Sequence, residues 1–148
     1  MKILLVDDLK KNREAGMADL TAIGHEVVAF SGYAKAAVAI TESRFDAALL
    51  DLLMPAEAMM LGSKGLEHLG QEFPAGLGLS MFAADRGVPL VAVATDMNHH
   101  DHPASAMLDW FHNRKMRIND SLVLWMHSPM KAEGIKDWGK VLKQLESG

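Results

Sequence analysis

The sequence predicts an α/β fold, a doubly wound five-stranded parallel sheet in the order 2-1-3-4-5 with helices on both faces. Three observations lead there. Short apolar runs recur along the chain, continuous rather than alternating, as strands buried on both faces require. Helix-like segments separate them, so the connections are βαβ crossovers. The first and third runs both end on aspartate, as strands feeding polar loops at one sheet edge do.

Residues 3–6 form the first strand, closed by Asp7 and Asp8. In residues 9–22, Ala15, Met17, Ala18 and Leu20 mix with charged residues, and Gly24 follows where a helix end favours positive φ, which predicts the first helix. A second strand over 26–30, an alanine-rich helix over 33–43 and a third strand over 45–50 follow, the last stopping at Asp51. A third helix is expected over 77–86. A fourth strand spans 88–94, with Pro89 at its start where a missing N–H is tolerated. Residues 121–126 make the fifth strand, before Ser128-Pro129, and 131–146 close the chain as a helix.

Two stretches exceed this plan, 54–74 after the third strand and 97–119 after the fourth, and both should elaborate the same sheet edge. The first, with Met59, Met60, Gly62, Gly65 and Pro74, predicts an irregular segment with a helical turn around 65–73. Its methionines Met54, Met59 and Met60 read as buried filler. In the second, Asp101 or His102 before Pro103 marks a helix start.

The 148 residues, 49% of them hydrophobic, are enough for one core, so residues 1–148 are expected to form a single domain. With no cysteine, disulfides, thiolate-bound zinc and thiol catalysis are excluded, in keeping with a reducing compartment. The opening MKILLVDD carries four apolar residues in a row, too few for a signal peptide or a membrane span, so a soluble cytoplasmic protein is expected. A net charge of −4 without a long basic run argues against direct nucleic-acid binding. The first strand leads into DDLKKN rather than a glycine-rich cradle, which argues against nucleotide and flavin sites.

Ligands of doubly wound sheets bind beyond the carboxyl ends of the strands, where connections diverge. Strands one and three are neighbours in the predicted order, so Asp7, Asp8 and Asp51 converge and repel unless a cation neutralises them. Oxygen-only ligands favour Mg²⁺, and such a pocket suits phosphoryl transfer with Asp51 as nucleophile. The segment Asn98-His99-His100-Asp101-His102 offers imidazoles of the kind that bind Zn²⁺ or Ni²⁺. It should stand beside the acidic pocket, where a histidine would serve as ligand or acid–base; solvated or helix-capping histidines are the plainer reading.

The motifs LLVDD at 4–8, FDAALLDLLMP at 45–55, VPLVAVAT at 88–95 and WMHSP at 125–129 resemble the response-regulator receiver family, the CheY-like branch of flavodoxin-like folds, over nearly the whole chain. The resemblance implies Mg²⁺ held by Asp7, Asp8, Asp51 and the backbone carbonyl of Leu53, with Asp51 accepting phosphate from a histidine kinase or phosphotransfer protein. It implies a hydroxyl at the end of the fourth strand that follows the phosphoryl group: Thr95, although counting from Pro89 reaches Ala94. Trp125 matches the family's aromatic that changes rotamer. Where the family has a lysine before a cis-proline, this chain has Ser128 before Pro129, which leaves Lys131 or a protonated His127 to supply the cation. Trp110, Phe111 and Trp138 are placed towards the side the family uses for output or dimerisation, with core packing as the alternative.

Taken together, the expectation is a stand-alone receiver domain, a phosphoacceptor signalling protein whose output passes to a separate effector protein or through a homodimer. Ser128 and the enlarged loops motivate a second reading, a pseudo-receiver that interacts without phosphate. A third is a metal-dependent enzyme using the acidic pocket with His99, His100 or His102.

Overall fold

The computed structural model describes residues 1–59 and 61–148. The chain runs β1 (Lys2–Val6), α1 (Lys10–Ala22), β2 (Glu26–Phe30), α2 (Tyr33–Glu42) and β3 (Ala47–Asp51). A short strand β4 (Met54–Pro55) and a 3₁₀ turn (Gly65–His68) lead to β5 (Glu72–Phe73), α3 (Ala75–Asp85), β6 (Leu90–Thr95) and α4 (Pro103–Asp109). Then come β7 (Lys115–Ile118), β8 (Ser121–His127), β9 (Met130–Lys131), β10 (Ile135–Lys136) and α5 (Trp138–Glu146).

The sheet has six strands in the order β2-β1-β3-β6-β8-β7. The first five are parallel and reproduce the expected order. Strand β7 is an addition, antiparallel to β8. It joins β8 through Asn119-Asp120, with Asn119 at φ 52°, the backbone a two-residue hairpin needs. The sequence carries no clear strand signal here because Lys115 and Arg117 break its apolar character; at a sheet edge such charges discourage pairing with another chain.

Alternation along the strands sends side chains to two cores. Leu4, Val6, Ala48, Leu50, Val91, Val93 and Val123 pack against α2, α3 and α4. Ile3, Leu5, Ala47, Leu49, Ala92, Leu124 and Met126 pack against α1 and α5, with the fully buried Trp138 among them. Trp138 thus belongs to the core, whereas Trp110 is 73% exposed. No helix of the described residues is long and apolar enough to cross a membrane.

Three expectations need correction. The closing helix begins at Trp138, not 131, because β9 and β10 fold as a hairpin whose tip holds Glu133 and Gly134 at positive φ, and the Asp137 side chain accepts from the Lys140 amide as the helix cap. The turn expected over 65–73 is helical only over Gly65–His68, since Glu72 and Phe73 pair with Pro55 and Met54. Met54 is buried as expected of filler, but Met59 is half exposed, and Met60 lies outside the described residues. Elsewhere His102 caps α4 ahead of Pro103, as the sequence indicated.

Candidate functional site

Asp7 and Asp8 leave the end of β1, and Asp51 is the last residue of β3, the strand paired beside it. The register places Val6 opposite Leu50, so the acids that follow meet at the same sheet edge. One carboxylate oxygen from each lies within 4.8 Å of the others, and among the described residues no other group of histidine, cysteine and acidic side chains gathers this way. Asp7 is fully buried and Asp51 only 4% exposed, while Asp8 is half-buried. The guanidinium of Arg13 donates to the backbone carbonyls of Asp7 and Asp8, which fixes the loop and leaves the carboxylates uncompensated.

The compensating cation is Lys136. Its Nζ, fully buried, donates to Asp51 Oδ1 at 2.5 Å and to the Ala94 carbonyl at 3.1 Å, and lies 3.2 Å from Asp7 Oδ2 and 3.9 Å from Asp96 Oδ1. Asp7 Oδ1 accepts from the Leu9 amide at 3.0 Å and from Asn12 Nδ2 at 3.4 Å, whereas Asp7 Oδ2 faces the Lys136 ammonium. Burial pushes the Asp7 carboxyl up, with the Lys136 charge opposing. Burial likewise raises Asp51 well above the ordinary carboxylate value; Lys136 opposes this, and the Asp7 charge and the neighbouring Asp8 carboxyl add to it. For Lys136 burial disfavours the ammonium, but Asp51 and Asp7 outweigh it and hold the amine protonated. The pocket therefore gathers more carboxyl groups than one ammonium can pair with, and two of them resist ionisation. Three carboxyls converging on one edge, with one oxygen of each within 4.8 Å of the others, fit a hard divalent cation such as Mg²⁺.

The two stand-ins for the missing lysine are elsewhere. Lys131 pairs with Asp19 on α1, and His127 is 2.8 Å from Asp109 on α4. Ser128 donates its hydroxyl to the Pro129 carbonyl and its amide to Thr95. Lys136 was missed because 131–146 reads as one helix; placing the cap at Asp137, with Gly134 just before it, would have singled out the lysine between them.

Thr95 ends β6, buried, with Oγ1 accepting from the Met97 amide at 3.1 Å, while Ala94 is the residue opposite Asp51 in register. Leu53, two residues beyond Asp51, has its side chain in the core. Trp125 donates from Nε1 to Ser80 Oγ at 3.2 Å and stacks edge-on with Phe111, centroids 5.0 Å apart. The histidine segment is engaged around α4: His99 lies 3.3 Å from Asp109, the rings of His99 and His100 are 4.1 Å apart, and His102 caps α4. The hydrogen bond from His127 holds Asp109 below the usual carboxylate range.

No protein-family model matches the sequence, and no curated protein does. Solved structures do. The response regulator TrrA of Thermotoga maritima, in complex with Mg²⁺ and BeF, is 17% identical, with 97% of each chain covered and a TM-score of 0.56. The chemotaxis response regulator CheY4 of Vibrio cholerae is 19% identical over 97% of each chain, TM-score 0.55. A two-component response regulator of Clostridium difficile is 16% identical over 99% of each chain, TM-score 0.56. The chain has the receiver fold. On this receiver scaffold the acids stand at the carboxyl edge of the two central strands, and the lysine reaches them from the β9–β10 hairpin.

Proposed function

We propose that residues 1–148 form a single receiver module of two-component signalling that accepts a phosphoryl group on Asp51 from the phosphohistidine of a histidine kinase or phosphotransfer protein. The observation that carries this reading is the buried ion pair of Lys136 with Asp51, set among Asp7 and Asp8. Asp7, Asp8, Asp51 and the Leu53 carbonyl are the groups that would hold Mg²⁺. Bound there, the ion supplies positive charge to the oxygens of the entering phosphoryl group.

Lys136 holds Asp51 Oδ1, which leaves Oδ2 to attack phosphorus. The P–N bond to the donor imidazole breaks, its electron pair returns to the ring nitrogen, and the ring takes up a proton. The phosphoaspartate adds negative charge and acceptor oxygens, for which the Lys136 ammonium is already in place. Thr95 then turns its hydroxyl from the Met97 amide towards the phosphoryl oxygens, which loosens the loop into α4 and the packing of Trp125 on Phe111. A separate effector protein, or a second copy of the chain, reads that face. A cytoplasmic location goes with this reading.

The test is incubation with Mg²⁺ and acetyl phosphate, read by intact mass, with Asp51→Asn as control. A gain of one phosphoryl group that needs both the ion and Asp51 is expected. Mg²⁺ binding without any gain, whatever the donor, would overturn it in favour of a receiver that acts without phosphate. With His99, His100 and His102 engaged around α4, no observation supports an enzyme built on them.

A further inference from the structure

Lys136 reaches the acids from an arm. Between the end of β8 and Lys136 the chain makes the β9–β10 hairpin, whose tip carries Glu133 at φ 64° and Gly134 at φ 68°. A lysine ammonium is a point charge on a flexible stem, so where it sits depends on where the backbone beneath it is held. Asp137 follows the lysine, whose backbone is held by the strand pairing with Met130 and by a side chain across the pocket.

We infer that Asn12 is a positioning residue that seats Lys136 against Asp51, by joining the lysine's backbone to the acid Asp7. The inference rests on the phosphoacceptor reading above for its purpose, though not for its geometry. Asn12 lies in the first turn of α1 and is fully buried. Its Oδ1 accepts from the Lys136 amide at 3.0 Å, and its Nδ2 donates to Asp7 Oδ1 at 3.4 Å. One side-chain amide therefore spans the two halves of the pocket, and does so across 124 positions of sequence. It contributes no cap to α1, and a buried amide without partners is costly, so its place is explained by these two bonds.

Two further contacts complete the seat. The ring of Trp138 lies under the ammonium, 5.2 Å from Nζ to its centroid, where the π face favours a cation. The Asp137 amide donates to the Pro129 carbonyl at 2.9 Å and closes the base of the arm. Asn12 is the member that also touches an acid of the pocket, so a change at Asn12 moves the cation relative to Asp7 and Asp51 together.

The experiment follows the Lys136 ammonium itself, by ¹⁵N NMR of the full chain, its signal identified by absence in Lys136→Met. Buried and bonded, its protons exchange slowly with water. Asn12→Leu removes both hydrogen bonds at similar volume and is expected to abolish the protected signal while the fold persists; Asn12→Gln keeps both an acceptor for the Lys136 amide and a donor for Asp7 and is expected to retain it. The rate of phosphoryl gain from acetyl phosphate should fall by about tenfold or more in Asn12→Leu, towards the ~100-fold that a 1 Å misplacement can cost, and recover in Asn12→Gln. A protected ammonium that survives Asn12→Leu overturns the inference, whatever the rate does. If the unaltered chain gains no phosphoryl group yet Asn12→Leu still loses the signal, the seating stands and the phosphoacceptor reading falls. Should Asn12→Leu not fold, Asn12→Ser provides the same comparison.

Discussion

The acids and the lysine of one pocket come from regions built in different ways. Asp7, Asp8 and Asp51 follow directly from the two central strands, so their separation is set by strand spacing and register. Lys136 comes from a hairpin arm and lies eight positions beyond the Ser128 that holds the expected place, yet its Nζ arrives 2.5 Å from Asp51. Groups attached to a strand end are tied to the sheet. A group carried by a loop is free to change its position in sequence so long as the atom arrives, and what is kept is the contact rather than the spacing.

Removing the cation tests the difference most severely. In Lys136→Met, Asp7 and Asp51 stay buried without their ammonium, and breaking such a pair costs about 3–5 kcal/mol. Urea unfolding at neutral pH without divalent ions should show that loss. Added Mg²⁺ should restore part of it, because the acids remain where the strands put them. A variant as stable as the parent would mean that the arm is not seated in solution.

The strand side can be broken through backbone rather than charge. Gly76, at the start of α3, packs so closely on β3 that a Cβ would stand 2.0 Å from the Asp51 carbonyl oxygen. Gly76→Ala should therefore lose about 1–3 kcal/mol despite alanine's better helix propensity. Two residues on, Gly78 has nothing within 4 Å of its would-be Cβ, and Gly78→Ala should gain up to about 1 kcal/mol. Thermal melts of the pair carry opposite signs if α3 rests on the phosphoacceptor as described.

The same contrast explains what was legible in the sequence. The five parallel strands follow from local apolar runs, their order from the crossovers that alternating helices impose, and the meeting of Asp7, Asp8 and Asp51 from that order. The β9–β10 hairpin was absorbed into a helix because Lys131, Ala132 and Glu133 are good helix formers; only Gly134 and Asp137 signal the break. Strand β7 was missed because a charged edge strand lacks the apolar continuity of its neighbours. Asn12, an ordinary polar residue in a helix by sequence, takes on meaning only once Lys136 is beside it. The mini-sheet of β4 and β5 depends on pairing Met54 with Phe73, a contact no short-range pattern announces.

A smaller effect separates the acids from the cation by pH. Burial raises the Asp51 carboxyl well above 3.8. An acid whose folded pKa is raised favours folding below its unfolded value, and loses that contribution as pH rises through the folded one. Ionised Asp51 therefore costs stability at neutral pH without divalent ions. Asp51→Asn should unfold at higher temperature than the parent at pH 7, the gap closing as pH falls towards 3.8 and below. The gain should be smaller than the Lys136→Met loss, since Asp7 still pairs with the ammonium. A gap that widens in acid would contradict the raised carboxyl.

The least effect is expected at Lys131, one of the two residues from which the sequence led us to expect the cation. Lys131 and Asp19 are each about one third exposed, 35% and 34%, so their attraction is screened by water and offset by the ordering of two side chains. Lys131→Ala should change stability by no more than about 1 kcal/mol, and by less at high salt. It should leave the rate of phosphoryl gain unchanged, because the hairpin keeps its pairing of Met130 with Lys136 and the Asn12 bond beyond it. Were Lys131→Ala to slow that rate as Lys136→Met does, the arm would have to present either lysine to Asp51, and the assignment of the cation to one residue would fail.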